Sequence, residues 1–267
     1  MASKGFFTDT TLCIGCKACE VACKEWNQLP DDGLFFTGMS YDNTASLGAS
    51  TWRHVAFVER PAVAFGGQTA SDGSFSWLMM SDVCKHCKRA GCLENCPTGA
   101  IVRTEFGSVY VQPDICNGCG YCIVGCPFGV IERREDDGRA WKCTLCYDRL
   151  KGDLTPACAK ACPTDSIQFG DLDELRERAR ARLDELHTRG MTEAYLYGAD
   201  EAGQPGTEGL NAFFLLVDRP EVYNLPPDPM APAKRAGAAW LSMAASALVM
   251  GAAAVAAALA GRNGQRR

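Results

Sequence analysis

The spacing of apolar and polar positions changes several times along the chain, and each change marks an element. Residues 52–60 (WRHVAFVER) and 75–80 (FSWLMM) predict two strands around a Gly- and Ser-rich turn, a β-hairpin within an insertion at 28–80. Residues 100–115 (AIVRTEFGSVYVQPDI) predict a shorter hairpin turning at Gly107, because 108–112 alternates with period two behind it. The period lengthens to that of a helix at 171–190 (DLDELRERARARLDELHTRG). Leu172, Leu175, Ala179, Leu183 and Leu186 share its apolar face, Asp171 caps it and Gly190 ends it. Its charges form a solvated face. Residues 191–235, which include the proline-rich run PEVYNLPPDPMAP, predict an extended strap.

From 236 to 261 no residue is charged. A helix of that length spans about 39 Å, against roughly 30 Å of membrane hydrocarbon. Lys234, Arg235 and Trp240 mark its start, and Arg262, Arg266 and Arg267 its end. This predicts a single transmembrane helix in contact with lipid, in preference to a soluble Ala-rich docking helix. Its many small residues suit close packing against partner helices. The positive-inside balance slightly favours a cytoplasmic C-terminus, with the rest of the chain on the extracytoplasmic side. The opening MASKGFFTDT has no apolar signal core. The expected route across the membrane is therefore export together with a partner.

Composition changes the picture at one residue type. The 267 residues leave room for a sizeable core, and a net charge of −5 gives no basic excess for nucleic acid. The chain has 16 cysteines, all between Cys13 and Cys162. A disulfide framework belongs to short secreted chains without such a core. Metal ligation is the better use.

The cysteines form four groups that repeat one motif. They are CIGCKACEVAC (Cys13, Cys16, Cys19, Cys23), CKHCKRAGCLENCP (Cys84, Cys87, Cys92, Cys96), CNGCGYCIVGCP (Cys116, Cys119, Cys122, Cys126), and Cys143 and Cys146 followed by Cys158 and Cys162. Groups one and three have the C-x2-C-x2-C-x3-C spacing of bacterial ferredoxins, and the others widen only the second gap. Three close thiolates wrap three corners of an iron–sulfur cubane, while the fourth ligates the other cluster of a two-cluster unit. The proline after three of the fourth cysteines suits the start of a helix carrying that ligand; Lys24 stands there in group one. Paired C-x2-C zinc knuckles do not account for a third cysteine crowded into the loop.

Chain distance predicts the pairing. Groups two and three, joined by the short hairpin, form an inner module at 81–140, leaving groups one and four to form an outer module from 1–27 with 141–170. The predicted ligand sets are Cys84, Cys87, Cys92 with Cys126, and Cys116, Cys119, Cys122 with Cys96. The outer sets are Cys13, Cys16, Cys19 with Cys162, and Cys143, Cys146, Cys158 with Cys23. The expected fold is α+β: two pseudo-symmetric bacterial-ferredoxin-like two-cluster modules, a β-hairpin insertion and one C-terminal transmembrane helix. Four [4Fe–4S] clusters are the expected cofactors.

Cations stand among the ligands: Lys17, Lys24, Lys85, Lys88, Arg89, Lys142 and Lys160. One such charge about 6 Å from an anionic cluster, at an effective dielectric of about 20, contributes about 3 kcal/mol to reduction. For one electron that is on the order of 100 mV. His86 lies between two ligands but is not needed as one. Trp26, Trp52, Trp77 and Trp141 are expected in the core, not as electron relays. Since no nucleophile triad, phosphate loop or catalytic carboxylate pair stands out, the chain is expected to carry electrons and to catalyse nothing alone.

Several stretches resemble the beta, iron–sulfur subunit of membrane-bound formate dehydrogenase. They are CIGCKACEVACKEWN (13–27), CKHCKRAGCLENCPTGAI (84–101), CNGCGYCIVGCPFGV (116–130), WKCTLCYDRL (141–150), PACAKACPTDSIQFG (156–170) and PEVYNLPPDP (220–229), followed by the membrane helix. The resemblance implies a catalytic alpha subunit with a molybdenum or tungsten pterin and a cytochrome b-type gamma subunit passing electrons to quinone. It implies the same first/fourth and second/third pairing, and export on the alpha subunit. The cluster motifs alone are shared with electron-transfer subunits of other molybdopterin oxidoreductases and of hydrogenases. A non-redox metal scaffold is a third, weaker alternative.

Overall fold

Phe6 and Phe7 are both buried and point to opposite faces of the first strand, one into each of two apolar clusters. The computed structural model describes residues 2–33, 38, 41–42, 44, 46–61, 63–64, 68–69 and 75–264. The chain falls into two units, Met1–Ala231 and Pro232–Arg267. In chain order the first unit runs β1 (Lys4–Asp9), α1 (Ala18–Asn27), β2 (Arg53–Pro61), β3 (Val63–Ala64), β4 (Gln68–Thr69), β5 (Phe75–Val83) and α2 (Gly91–Glu94). There follow β6 (Ile101–Arg103), β7 (Val109–Val111), α3 (Tyr121–Gly125), β8 (Glu132–Arg133), β9 (Ala140–Trp141), α4 (Tyr147–Lys151) and α5 (Ala157–Lys160). The unit closes with β10 (Ile167–Asp171), α6 (Leu172–Thr188), β11 (Tyr195–Tyr197) and β12 (Ala212–Leu216). The content is α+β, as expected.

The main sheet has the order β10-β1-β12-β11, with β1 antiparallel to β10 and parallel to β12. All five residues of β12, AFFLL, are buried. This corrects the reading of 191–235 as a strap: prolines flank the stretch, but its middle is a core strand. Helix α6 buries Leu172, Leu175, Ala179 and Leu186 against the sheet, with Leu183 partly buried. Asp171 occupies the N-cap position without making a side-chain cap bond; its carboxylate pairs with Lys4 at 2.8 Å. Gly190 has φ 89°, the left-handed turn expected just past a helix end.

The insertion hairpin is β2 paired antiparallel with β5, from Arg53↔Val83 to Pro61↔Phe75. Strand β2 has the predicted length shifted by one residue and β5 runs three residues longer than predicted, while the expected Gly/Ser-rich turn lies largely outside the described residues. The second hairpin is β6–β7, turning near Gly107 at φ 79°.

Two ladders have a matching register. In β1–β10, Thr8 pairs with Ile167, five positions before Cys13 and five after Cys162. In β6–β7, Val111 pairs with Ile101, five positions before Cys116 and five after Cys96. Helix α1 packs on α5 and α2 on α3, so the cysteine groups meet in the same two pairs.

The second unit is one helix, α7 (Pro232–Gly264), starting four residues earlier than the uncharged run. Within it, Pro232–Ala257 is long and apolar enough to cross a membrane, with a mean hydropathy of 1.7 and no residue buried.

Candidate metal centres

Every cysteine group begins with the same backbone turn. The residue just before its second cysteine has positive φ: Gly15 at 67°, His86 at 44°, Gly118 at 71° and Leu145 at 60°. Glycine takes this conformation without strain. His86 and Leu145 hold it with buried side chains, at a cost of about 1–2 kcal/mol each. Such a turn directs successive backbone N–H groups inward, a concavity that favours anionic sulfur.

The third cysteine of each group lies in a helix: Cys19 in α1, Cys92 in α2, Cys122 in α3 and Cys158 in α5. Cys96, Cys126 and Cys162 follow the ends of their helices, and Pro97, Pro127 and Pro163 sit in turns beyond them. This corrects the expectation that proline starts a helix carrying the fourth ligand. With no N–H to donate, proline follows the stop instead. Group one has Lys24 there, and α1 continues through Cys23 to Asn27.

None of the 16 cysteines is in a disulfide. Burial pushes Cys87 well up, reinforced by Cys84, Cys126 and Cys92. Burial raises Cys122 to about 11, with Cys116, Cys96 and Cys119 adding to it. Cys23 is driven well up by burial and then by Cys158, Cys143 and Cys146. Cys13 is raised by burial and also by Cys162 and Cys16, against a backbone hydrogen bond at Gly15. Electrostatic influence also runs between these sets. Burial holds Cys19 at about 11 with Cys158 a further cause, burial and then Cys84 raise Cys143, and burial holds Cys92 at about 12 with Cys122 a lesser cause. Thiols crowded and buried in this way resist ionising unaided; bound iron supplies the compensating charge. Cys96 is the exception: burial raises it, but bonds from the Thr98 hydroxyl and from backbone N–H groups outweigh that and lower it.

Besides Arg149, three lysines and arginines are buried among the described residues. Lys142 and Lys85 are buried: Lys142 touches the carbonyls of Val109 and Cys143, and Lys85 faces Asp82 and the rings of Phe128 and Phe214. Burial lowers the pKa of Lys142, but Cys84, Cys92 and Cys143 outweigh it and leave it raised. The third, Arg53, stands in the insertion away from the motifs. Sequence spacing gave no sign of it, because its position depends on the β2–β5 register. The other expected cations are peripheral. Lys17 pairs with Glu20 and Asp42, Lys24 with Asp32, Lys88 with Glu201, and Arg89 with Glu94 and Glu208, while Lys160 is exposed. Trp52 is buried and stacks on Trp141, but Trp26 is exposed under the Arg149 guanidinium, against expectation.

One cavity is lined by Cys84, Cys87, Cys92 and Cys126 together with His86 and Lys142. His86 accepts the Val109 N–H at Nδ1 (3.0 Å), so Nε2 carries the proton, and that buried donor has no partner. Burial and the cations Lys142, Arg103 and Arg53 keep the ring neutral. An orphaned donor beside four thiols fits a cluster that brings its own sulfide acceptors. Among the described residues, no three His, Cys, Asp or Glu side chains gather closely enough to hold a single metal ion.

Comparison with known proteins agrees with this chemistry. Residues 75–172 match one family model described as a 4Fe-4S dicluster domain, and residues 12–100 match a second model of the same description. Two such domains with 16 cysteines account for four [4Fe–4S] clusters, which defines an electron-carrying iron–sulfur protein. The nitrate-inducible formate dehydrogenase iron–sulfur subunit of Escherichia coli K12 is 42% identical over 225 residues, covering 83% of this chain and 71% of its own. The formate dehydrogenase iron–sulfur subunit of Haemophilus influenzae is 41% identical, with 83% and 68% covered. The B subunit of the anaerobic dimethyl sulfoxide reductase of E. coli K12 matches less far, at 34% over 65% of this chain and 76% of its own. The chain belongs to the family of formate dehydrogenase iron–sulfur subunits, which are electron-transfer and not catalytic subunits.

Proposed function

We propose that this chain passes electrons from a formate-oxidising catalytic subunit to a membrane partner along four clusters in a line. The ligand sets are Cys13, Cys16, Cys19 and Cys162 for the first; Cys23, Cys143, Cys146 and Cys158 for the second; Cys84, Cys87, Cys92 and Cys126 for the third; and Cys96, Cys116, Cys119 and Cys122 for the fourth. The observation that carries the order is the electrostatic coupling between groups: Cys158 acts on Cys19, Cys84 on Cys143, and Cys122 on Cys92. Each bound cluster supplies one-electron chemistry whose potential follows its charge, hydrogen bonds and exposure.

The chain's own residues hold the thiolates in place, keep water from the middle of the line and set positive charge beside it. Cys16 and Cys119 are the exposed cysteines, one in the first set and one in the last. They mark where electrons enter and leave. The shared five-residue register of β1–β10 and β6–β7 supports two pseudo-symmetric modules, with the insertion added to the outer one.

The relatives' names carry formate to this chain. The donor is then a molybdenum- or tungsten-pterin alpha subunit, and the acceptor a cytochrome b-type gamma subunit serving quinone. Helix α7 acts as a single-pass anchor, with the cluster body outside the cytoplasm and exported with the catalytic subunit. The dimethyl sulfoxide reductase match favours a second reading, service to another molybdopterin oxidoreductase.

Purification of the native complex, followed by anaerobic addition of formate, tests this. Iron and sulfide in four-cluster stoichiometry and reduced-cluster EPR signals are expected. Zinc in place of iron would sink the cluster assignment. Clusters that formate leaves oxidised, while a co-purified catalytic subunit turns over another substrate, would overturn the formate reading.

A further inference from the structure

Arg53 opens strand β2 and is 1% exposed. Among the described residues no carboxylate pairs with it. Its Nη2 donates to Cys158 Sγ at 3.2 Å, while Nη1 donates to the carbonyl of Ser81 at 3.2 Å and to its Oγ at 3.4 Å. The Ser81 hydroxyl lies 3.2 Å from Cys19 Sγ. The guanidinium rests 4.8 Å from the centre of the Phe6 ring, and Nε has no partner. Burying an ion without its counter-ion carries a desolvation penalty that an apolar side chain of similar volume avoids. A packing role therefore leaves the charge unexplained. The sulfurs at the two ends of this arrangement belong to different clusters in the proposed ligand sets.

We propose that Arg53 is a positioning residue that raises the reduction potentials of two adjacent clusters at once, donating directly to Cys158 and through Ser81 to Cys19. This rests on the ligand sets proposed above. Charge-assisted hydrogen bonds to a thiolate favour the more negative, reduced cluster. One fixed cation shared between neighbours moves both potentials in the same direction, which keeps the step between them small. The direct bond makes the effect larger at the Cys158 cluster. The β2–β5 register delivers both donors, since Arg53 faces Val83 and Val55 faces Ser81. Carrying this cation to the seam between the outer clusters is a role for the insertion.

The test is an EPR-monitored redox titration of the purified native complex. Cys19→Ser and Cys158→Ser first identify the signal of each cluster. In Arg53→Met, the reduced-to-oxidised ratio at fixed potential falls at least tenfold for the Cys158 cluster, about 59 mV for one electron. It falls less for the Cys19 cluster and stays unchanged for the clusters of Cys87 and Cys119. Ser81→Ala lowers the Cys19 cluster alone. Arg53→Lys keeps the charge but not the two-headed fork, so it recovers only part of the loss. If Arg53→Met does not assemble, the other two variants carry the test. Unmoved potentials in assembled variants, or equal shifts at all four clusters, overturn the proposal. If Cys19→Ser and Cys158→Ser disturb one and the same cluster, the ligand sets fail instead.

Discussion

Cys96 and Cys116 stand 20 positions apart and are joined by the β6–β7 hairpin; Cys13 and Cys162 stand 149 apart and are joined by β1–β10. The ladders have the same register, yet they close in different ways. The inner ladder needs only a turn and a small apolar cluster around Ile101, Val109, Val111 and Ile131. The outer one must first bring distant chain together, a loop-closure difference of about 2 kcal/mol. It is surrounded by β12, α6 and the large core beneath them. That 2 kcal/mol is about what burying one or two large side chains supplies, so the long connection is easily stabilised once the sheet forms. The outer pair depends on a tertiary core, whereas the inner pair depends mostly on local turns.

The sharpest way to break this contrast is to hollow the outer core. Phe213 is fully buried and stacks on Phe7 at 5.4 Å. Phe213→Ala is expected to cost about 3–5 kcal/mol, and a urea titration followed by cluster absorbance should release the outer clusters first. Simultaneous loss of all four would show that the two modules are not separable. Next comes the local turn of the inner module. A Cβ at Gly118 would lie 2.2 Å from the Gly138 carbonyl, at a φ of 71°. At Gly129, φ is 64° and nothing lies within 4 Å. Gly129→Ala should cost about 1–2 kcal/mol, and Gly118→Ala more, with iron lost from the Cys119 cluster. Equal stability of the two variants would count against the turn as a specific constraint.

Lys142 is influenced by cysteines of both the second and the fourth group, so Lys142→Met sharpens the comparison electrically. The potentials of the Cys143 and Cys84 clusters should fall by on the order of 100 mV, read by EPR titration, and a shift confined to one module would place the charge elsewhere. The smallest effect is expected at the Lys4–Asp171 pair, whose side chains are about one-third exposed. Lys4→Ala should change stability by less than about 1 kcal/mol. A larger loss in denaturant titration would mean that this ion pair, and not the core, holds β1 to β10.

What the sequence made legible follows from the range of each interaction. The cysteine spacing, the 100–115 hairpin, the apolar face of α6 and the membrane-length run of α7 are local patterns, and all are readable along the chain. Strand β12 was not, because a five-residue apolar run between Pro-rich and Gly-rich stretches reads equally as strap or strand until β1 is available to pair with it. Arg53 escaped for the same reason: a lone arginine in an insertion acquires meaning only from the strand facing it. Trp26 is exposed and its stacking partner, Arg149, lies 123 positions away. Pro97, Pro127 and Pro163 were visible but were assigned to the wrong end of a helix, since proline is suited both to the first turn and to the residue after the last.

The place of β1 in the middle of its sheet also imposes a timetable on a growing chain. During synthesis β1 has neither of its neighbours until residues 167–171 and 212–216 have followed. By Cys126 the proposed inner module has all eight of its cysteines, while Cys13, Cys16, Cys19 and Cys23 have proposed partners as far on as Cys162. On the proposed ligand sets, the middle of the chain is ready for iron before its beginning. The oldest thiols stay longest within reach of oxidants, and maturation in air should damage the N-terminal centres before the others.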